Sequence, residues 1–195
     1  PDIPAAQRDE AQKRIIRTVS PDTLIDNRDF HTLLVEGVNV EYRHQDGSIR
    51  TAQVRLFDFV NPANNDFVAI NQLTVVQDNV NRRPDVVLYV NGLPLVVVEL
   101  KNATDSKADL HAAFNQIQTY KQQISTLFRT NELCVISDGL DARVGTLTAP
   151  FERFSAWKTI DGEREEGNVP ELETLARGIF TKDRLLDIIR NLVVF

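Results

Sequence analysis

The chain has no methionine, one tryptophan and one cysteine among its 195 residues. A lone thiol, Cys134, excludes an internal disulfide and suits a reducing, cytoplasmic compartment. The three histidines, His31, His44 and His111, are scattered, so no His/Cys zinc spacing exists. No apolar run approaches the roughly 18 residues needed to span a bilayer, and no secretory pattern opens the chain; no membrane partner is expected. Positive charge is also scarce: 22 Lys and Arg face 28 Asp and Glu, for a formal net charge of −6. DNA affinity comes largely from Lys and Arg displacing counterions, so this composition argues against a domain that grips DNA tightly on its own. It leaves room for an acidic module whose nucleic acid is held by other domains. The missing methionine and the opening Pro1 suit a segment of something longer.

What is present describes a folded domain. Hydrophobic residues make up 42% and charged ones 26%, the balance of an ordinary globular protein with a sizeable core. The pattern predicts helices over 4–17 and from about Asn27 to Gly37. Strands follow over 38–42, 49–60 and 67–76, with a hairpin at Asp46-Gly47 and the turn-rich run Asn61 to Asp66 between the last two. Two more strands, 86–90 and 95–100, flank Asn91-Gly92. The longest helix is expected over 106–128, where Leu110, Phe114, Ile117 and Ile124 build one apolar face. Strands over 133–137 and 143–147 flank Asp138-Gly139, residues 161–167 form a solvated loop, and helices over 170–177 and 182–192 close the chain. A central mixed sheet with helices on its faces is the economical α/β architecture.

Chemistry concentrates in Arg83-Pro84-Asp85 and Glu99-Leu100-Lys101. Apolar strands seldom end in charge, because an unpaired buried charge costs several kcal/mol. Two carboxylates and a lysine at strand ends suit a divalent metal and a phosphodiester. Glu99 and Lys101 share a face of their strand. Asp85 joins them only if the connection is irregular: a two-residue Asn91-Gly92 turn with an unbroken ladder pairs Asp85 with Val98 and turns Glu99 away. A three-residue loop, or one bulge, puts Asp85 opposite Glu99, and Pro94 favours such an irregularity. Asp85, Glu99 and the Leu100 carbonyl would then ligate Mg²⁺, with Lys101 orienting the attacking water or neutralising phosphate charge. The alternative is a surface Glu-x-Lys pair with Asp85 in a turn. Asp105-Ser106-Lys107 also fits acid-x-Lys, but Thr104, Asp105 or Ser106 is better placed to cap the following helix. On that helix Gln116 and Tyr120, four apart, point the same way and would reach the rim of the site.

In this order the motifs resemble the amino-terminal nuclease domain of the R subunit (HsdR) of type I restriction enzymes, in the PD-(D/E)xK superfamily with the Q-x-x-x-Y element of its RecB-like branch. Glu36 to Arg43, Asn61 to Phe67, Cys134 to Gly139 and Phe151 to Lys158 also look like family segments. The resemblance implies a restriction-endonuclease-like fold over residues 1–180, with 181–195 leading toward a helicase-like motor. It implies Asp85, Glu99 and Lys101 as the Mg²⁺-dependent centre cutting double-stranded DNA, and Gln116 and Tyr120 as auxiliary residues. It further implies modification (M) and specificity (S) subunits as partners, and ATP as fuel for the motor. No Gly-x-x-x-x-Gly-Lys-Ser/Thr occurs in this chain. The superfamily's usual extra acid on an early helix has no trusted match here, although Glu10 and Glu36 are available. Asn71-Gln72 could face the site, although a purely structural role is expected; Arg82-Arg83 is either a phosphate contact or an exposed turn, and Trp157 and Cys134 are expected in the core. A non-catalytic module linking a motor to its partners, and a stand-alone structure-specific nuclease, are the rival readings.

Overall fold

A computed structural model describes residues 3–102, 109–167 and 169–193. Helix α1 (Ala5–Ile16) starts after Pro4, and α2 (Thr23–Glu36) starts four residues earlier than expected. The reason is Asp22, whose side chain accepts a hydrogen bond from the Leu24 amide and caps the helix. The pair β1 (Val38–Arg43) and β2 (Ile49–Val54) is antiparallel, and α1 covers one of its faces through Ala11, Val40 and Ala52. The strand expected over 49–60 ends at Val54. Beyond it Asn65 grips the Asp58 backbone, accepting from its amide and donating to its carbonyl at 2.9 Å each, so residues 56–60 curve instead of extending.

The principal sheet has five strands in the order β3 (Phe67–Asn71), β6 (Val86–Val90), β7 (Leu93–Leu100), β8 (Leu133–Ser137) and β9 (Ala142–Gly145). The β7–β8 pair is parallel and the rest antiparallel, so the mixed sheet flanked by helices is as expected. The strand expected over 67–76 is split: β3 ends at Asn71, and between β3 and β6 lies a small hairpin, β4 (Val75–Gln77) and β5 (Val80–Arg82). Gln72 at φ 53 breaks that strand, and Asp78 and Asn79 in left-handed conformation turn it. Helix α3 (Leu110–Gln123) carries the chain toward β8, with Asp109 as its cap. Its expected beginning at 106–109, with the alternative caps and the Asp105-Ser106-Lys107 triplet, lies for the most part outside the described residues.

Two layers enclose the sheet. On one face Val87, Val97, Cys134 and Ile136 pack beneath Ala113, Ile117 and Tyr120 of α3. On the other, Val90, Val96, Val98 and Val135 meet α4 (Glu171–Ile179), α5 (Lys182–Asn191) and the Phe30–Leu34 stripe of α2. Strand β7 is buried from Leu95 through Glu99 because it has neighbours on both edges and cover on both faces, which is why it reads as an unbroken apolar run. Trp157 packs against the α4–α5 core, and Cys134 is fully buried, both as expected. Trp157 leaves no room at Gly178, where an added Cβ falls inside the contact distance of its indole and of the Thr159 carbonyl. Gly178→Ala is therefore expected to destabilise the fold by about 3 kcal/mol, lowering the melting temperature by roughly 6–12 °C in a thermal scan.

Candidate active site

The β6–β7 hairpin combines a tight turn with a fault. Asn91 (φ 49) and Gly92 (φ 80) form the left-handed two-residue connection, pairing Val90 with Leu93 and Tyr89 with Pro94. The register then shifts between Leu88 and Tyr89, so that Leu88 pairs with Val96 and Val86 with Val98. Leu95 is the extra residue, and Leu95 and Val96 pack successively into the same core, as a bulge permits and a regular strand does not. Continued by one residue, this register sets Asp85 across from Glu99. The irregular hairpin that the sequence required is present.

The bulge is held from a distance. Leu95 carbonyl accepts the Glu132 amide at 2.7 Å and the Asn131 side-chain amide at 3.2 Å, and Thr130 Oγ1 donates to the Pro94 carbonyl at 2.8 Å. Asn131 is itself buried, and its carbonyl accepts from Asn27 of α2 at 2.7 Å. None of these residues carried a motif signal.

At the strand ends the acids face the α3 side, in line with Val87 and Val97. Asp85 has both oxygens engaged: Oδ1 accepts from Gln72 Nε2 at 2.7 Å, and Oδ2 from the Leu100 amide at 2.8 Å. Gln72 also donates its backbone amide to the Asp85 carbonyl at 2.8 Å. Its left-handed backbone thus turns both donors onto one residue, and Gln72 belongs to the site's framework. Glu99 is 3% exposed. Its Oε1 accepts from Lys101 Nζ at 2.7 Å, while Oε2 is buried with no hydrogen-bond partner. Burial pushes the Glu99 carboxyl up, the Lys101 hydrogen bond pulls it back, the charge of Asp85 pushes it up again, and the nearby Tyr120 hydroxyl, short of a hydrogen bond with Oε2, lowers it slightly.

Helix α3 supplies the lid. The Tyr120 hydroxyl donates a long bond, 3.5 Å, to the Arg83 carbonyl. Burial raises its pKa far above the usual phenol range, the neighbouring Glu99 and Asp85 add to the rise, and contact with Gln116 opposes it. The phenol therefore stays protonated beside the two acids. Sequence spacing predicts Gln116 and Tyr120 at the rim; in the fold Tyr120 is buried beside Glu99, and Gln116 touches its hydroxyl. Arg82 turns instead to Gln123, donating from Nε at 2.6 Å, whereas Arg83 is exposed. Neither early acid joins the cluster: Glu10 pairs with Arg14 on α1, and Glu36 ends α2 exposed.

The donor set fits a divalent cation. A desolvated oxygen with no partner, beside a second carboxylate, is destabilised as it stands and is relieved by positive charge. Among the described residues no group of three or more His, Cys, Asp or Glu side chains converges. A cation here would therefore take two carboxylates and complete its shell with carbonyl and water oxygens.

Comparison with known proteins shows the family. The family model for the N terminus of the type I restriction enzyme R protein matches residues 3–153. The chain is 42% identical over 199 residues to the type I restriction enzyme HindI endonuclease subunit of Haemophilus influenzae, covering all of this chain and 19% of that protein. It is 27% identical over 210 residues to the putative MjaIXP endonuclease subunit of Methanocaldococcus jannaschii, covering 95% of this chain and 20% of that one. Against the EcoprrI endonuclease subunit of Escherichia coli it is 31% identical over 160 residues, 80% of this chain and 49% of the relative. The chain thus spans about a fifth of the length of the first two relatives.

Proposed function

Because the chain belongs to the family of type I restriction enzyme R protein N termini, we propose that it is the Mg²⁺-dependent endonuclease module of such a subunit, hydrolysing phosphodiester bonds of double-stranded DNA. The observation that carries this reading is Glu99 Oε2, buried and unpartnered beside Asp85 at the ends of the central strands. In this reading Asp85 and Glu99 are the PD-(D/E)xK acids, and the Leu100 carbonyl adds a further oxygen. When bound, Mg²⁺ supplies Lewis-acid polarisation of the phosphate and acidifies a water. The chain's own residues prepare the rest. Gln72 and the Leu100 amide fix Asp85 in one rotamer. Lys101 occupies Glu99 Oε1, which leaves Oε2 as the free ligand and places a point cation where phosphate charge develops. Tyr120, kept protonated, and Gln116 offer hydrogen bonds at the rim as the Q-x-x-x-Y pair.

The acidic balance of the chain follows if the DNA is held elsewhere, by M and S subunits and by an ATP-driven motor outside this chain. Two assays test the reading. Asp85→Asn is expected to lower Mn²⁺ affinity of the chain at least about tenfold, since a ligand is lost. In the assembled complex the same variant should stop cutting while ATP hydrolysis and assembly persist. Undiminished cleavage by Asp85→Asn would leave the chain a nuclease-like linking domain.

A further inference from the structure

The row that contains the acids continues across the sheet. Glu99 lies opposite Ile136 in β8, and Ile136 lies opposite Arg143 in β9. Laterally paired residues share a face, so Arg143 stands on the α3 side, two strand spacings or about 10 Å from Glu99. Its guanidinium sits over the Phe151 ring, 5.5 Å from the centroid. His111, exposed in the first turn of α3, stacks on the same ring with centroids 3.6 Å apart and planes 22° apart. Phe114 braces that ring edge-on at 5.6 Å. Helix α3 links the two places: His111 precedes Tyr120 by nine residues, about 13.5 Å along the axis, which matches three strand spacings from β6 to β9.

Charge gives this ledge its meaning. Arg143, like Arg83 and several other arginines, has no carboxylate partner among the described residues, whereas Arg14, Arg28, Arg50, Arg129 and Arg177 each face one. The ring fixes the guanidinium and keeps it from folding onto Glu99, where it would cancel the site's negative charge. On the opposite flank Arg83, exposed, immediately precedes Pro84-Asp85. Arg83, Lys101 and Arg143 therefore mark a line of cations along the strand ends of a chain whose net charge is −6.

We propose that Arg143, seated on the Phe151 ring against which His111 also stacks, binds a backbone phosphate of the DNA strand beside the one addressed by the acids, so that the strand crosses the strand ends from β6 toward β9. The proposal rests on the nuclease reading above and adds to it the path of the substrate. A stack that merely roofed the core would leave DNA binding indifferent to the charge at position 143.

The test is fluorescence anisotropy of the assembled complex with a short duplex, in EDTA at about 50 mM salt and upward. Arg143→Gln is expected to weaken binding about five- to tenfold and to reduce the slope of log K against log salt by about one. Arg143→Lys should keep the wild-type slope, and His111→Ala, a surface change, should weaken binding about twofold. Unchanged affinity and slope in Arg143→Gln overturn the proposal. Cleavage assays on the assembled complex separate it from the reading beneath. If Asp85→Asn still cuts, the nuclease assignment falls, while an Arg143→Gln binding defect stands unaffected.

Discussion

Glu99→Gln is expected to leave DNA uncut and yet to make the metal-free protein harder to melt. The carboxylate is desolvated, only one of its oxygens is paired, and Asp85 repels it. A neutral amide of the same shape removes that cost and forfeits the charge that would draw a cation. Losing one principal charge contact in such a site is worth about 4 kcal/mol, or about a thousandfold in rate. The expected gain in the absence of metal is about 1 kcal/mol, a rise of roughly 2–4 °C, because the lost ion pair with half-exposed Lys101 offsets part of it. The pH dependence has a definite sign. A carboxyl whose pKa is raised by folding favours the folded state while it is protonated, and that stabilisation is lost as pH climbs from about 4.3 through the folded value. Glu132, raised by burial and opposed by His31, slopes the same way. Asp26, Asp46, Asp58 and Asp161 are lowered, so they act in a more acidic window. In EDTA, wild type should therefore lose stability from mildly acidic to alkaline pH, and Glu99→Gln should lose less but not nothing. Calorimetry across that range, with cleavage assayed in parallel, checks both halves. A variant that cuts normally, or melts lower than wild type at pH 8, refutes the account of Glu99.

Local signals in the chain were enough for much of this architecture. Asn91-Gly92 announces its hairpin, the apolar periodicity of Leu110 to Ile124 announces α3, and Glu99-x-Lys101 stands out because charge ends a buried strand. These features depend on residues close in sequence. Whether Asp85 meets Glu99 depends on Leu95, and the bulge at Leu95 is fixed by Asn131 and Glu132, some 36 residues further on. An alternating pattern records which face each residue prefers, not which carbonyl a distant amide will seize. Gln72 shows the same limit. Read as a strand residue, it is instead the left-handed break that delivers two hydrogen-bond donors to Asp85, and only the partner explains the conformation. Arg143 escaped notice because its place beside the acids is a product of lateral pairing across three strands.

Asn131→Leu is expected to be the most damaging substitution far from the acids. Its side-chain amide serves the carbonyls of Leu95 and Leu133, and its carbonyl oxygen Oδ1 accepts from Cys134 Sγ. Leucine fills the space and satisfies none of them. Leaving buried polar groups without partners costs about 1–3 kcal/mol each. Because Glu132 still serves Leu95, the net loss should be near 3–4 kcal/mol, a melting shift of roughly 8–15 °C. Thr130→Val, which removes only the bond to the Pro94 carbonyl, should cost about 1 kcal/mol. The bulge gives this a consequence that instability alone does not have. If the fault slips, Asp85 no longer stands across from Glu99, and Mn²⁺ affinity should fall at least about tenfold at temperatures where the variant is still folded. Gly178→Ala, of similar thermal cost but on the α4–α5 side, should leave Mn²⁺ affinity within about twofold of wild type. Equal losses of affinity in both variants would show that the site responds to general loosening and not to the register that Asn131 holds.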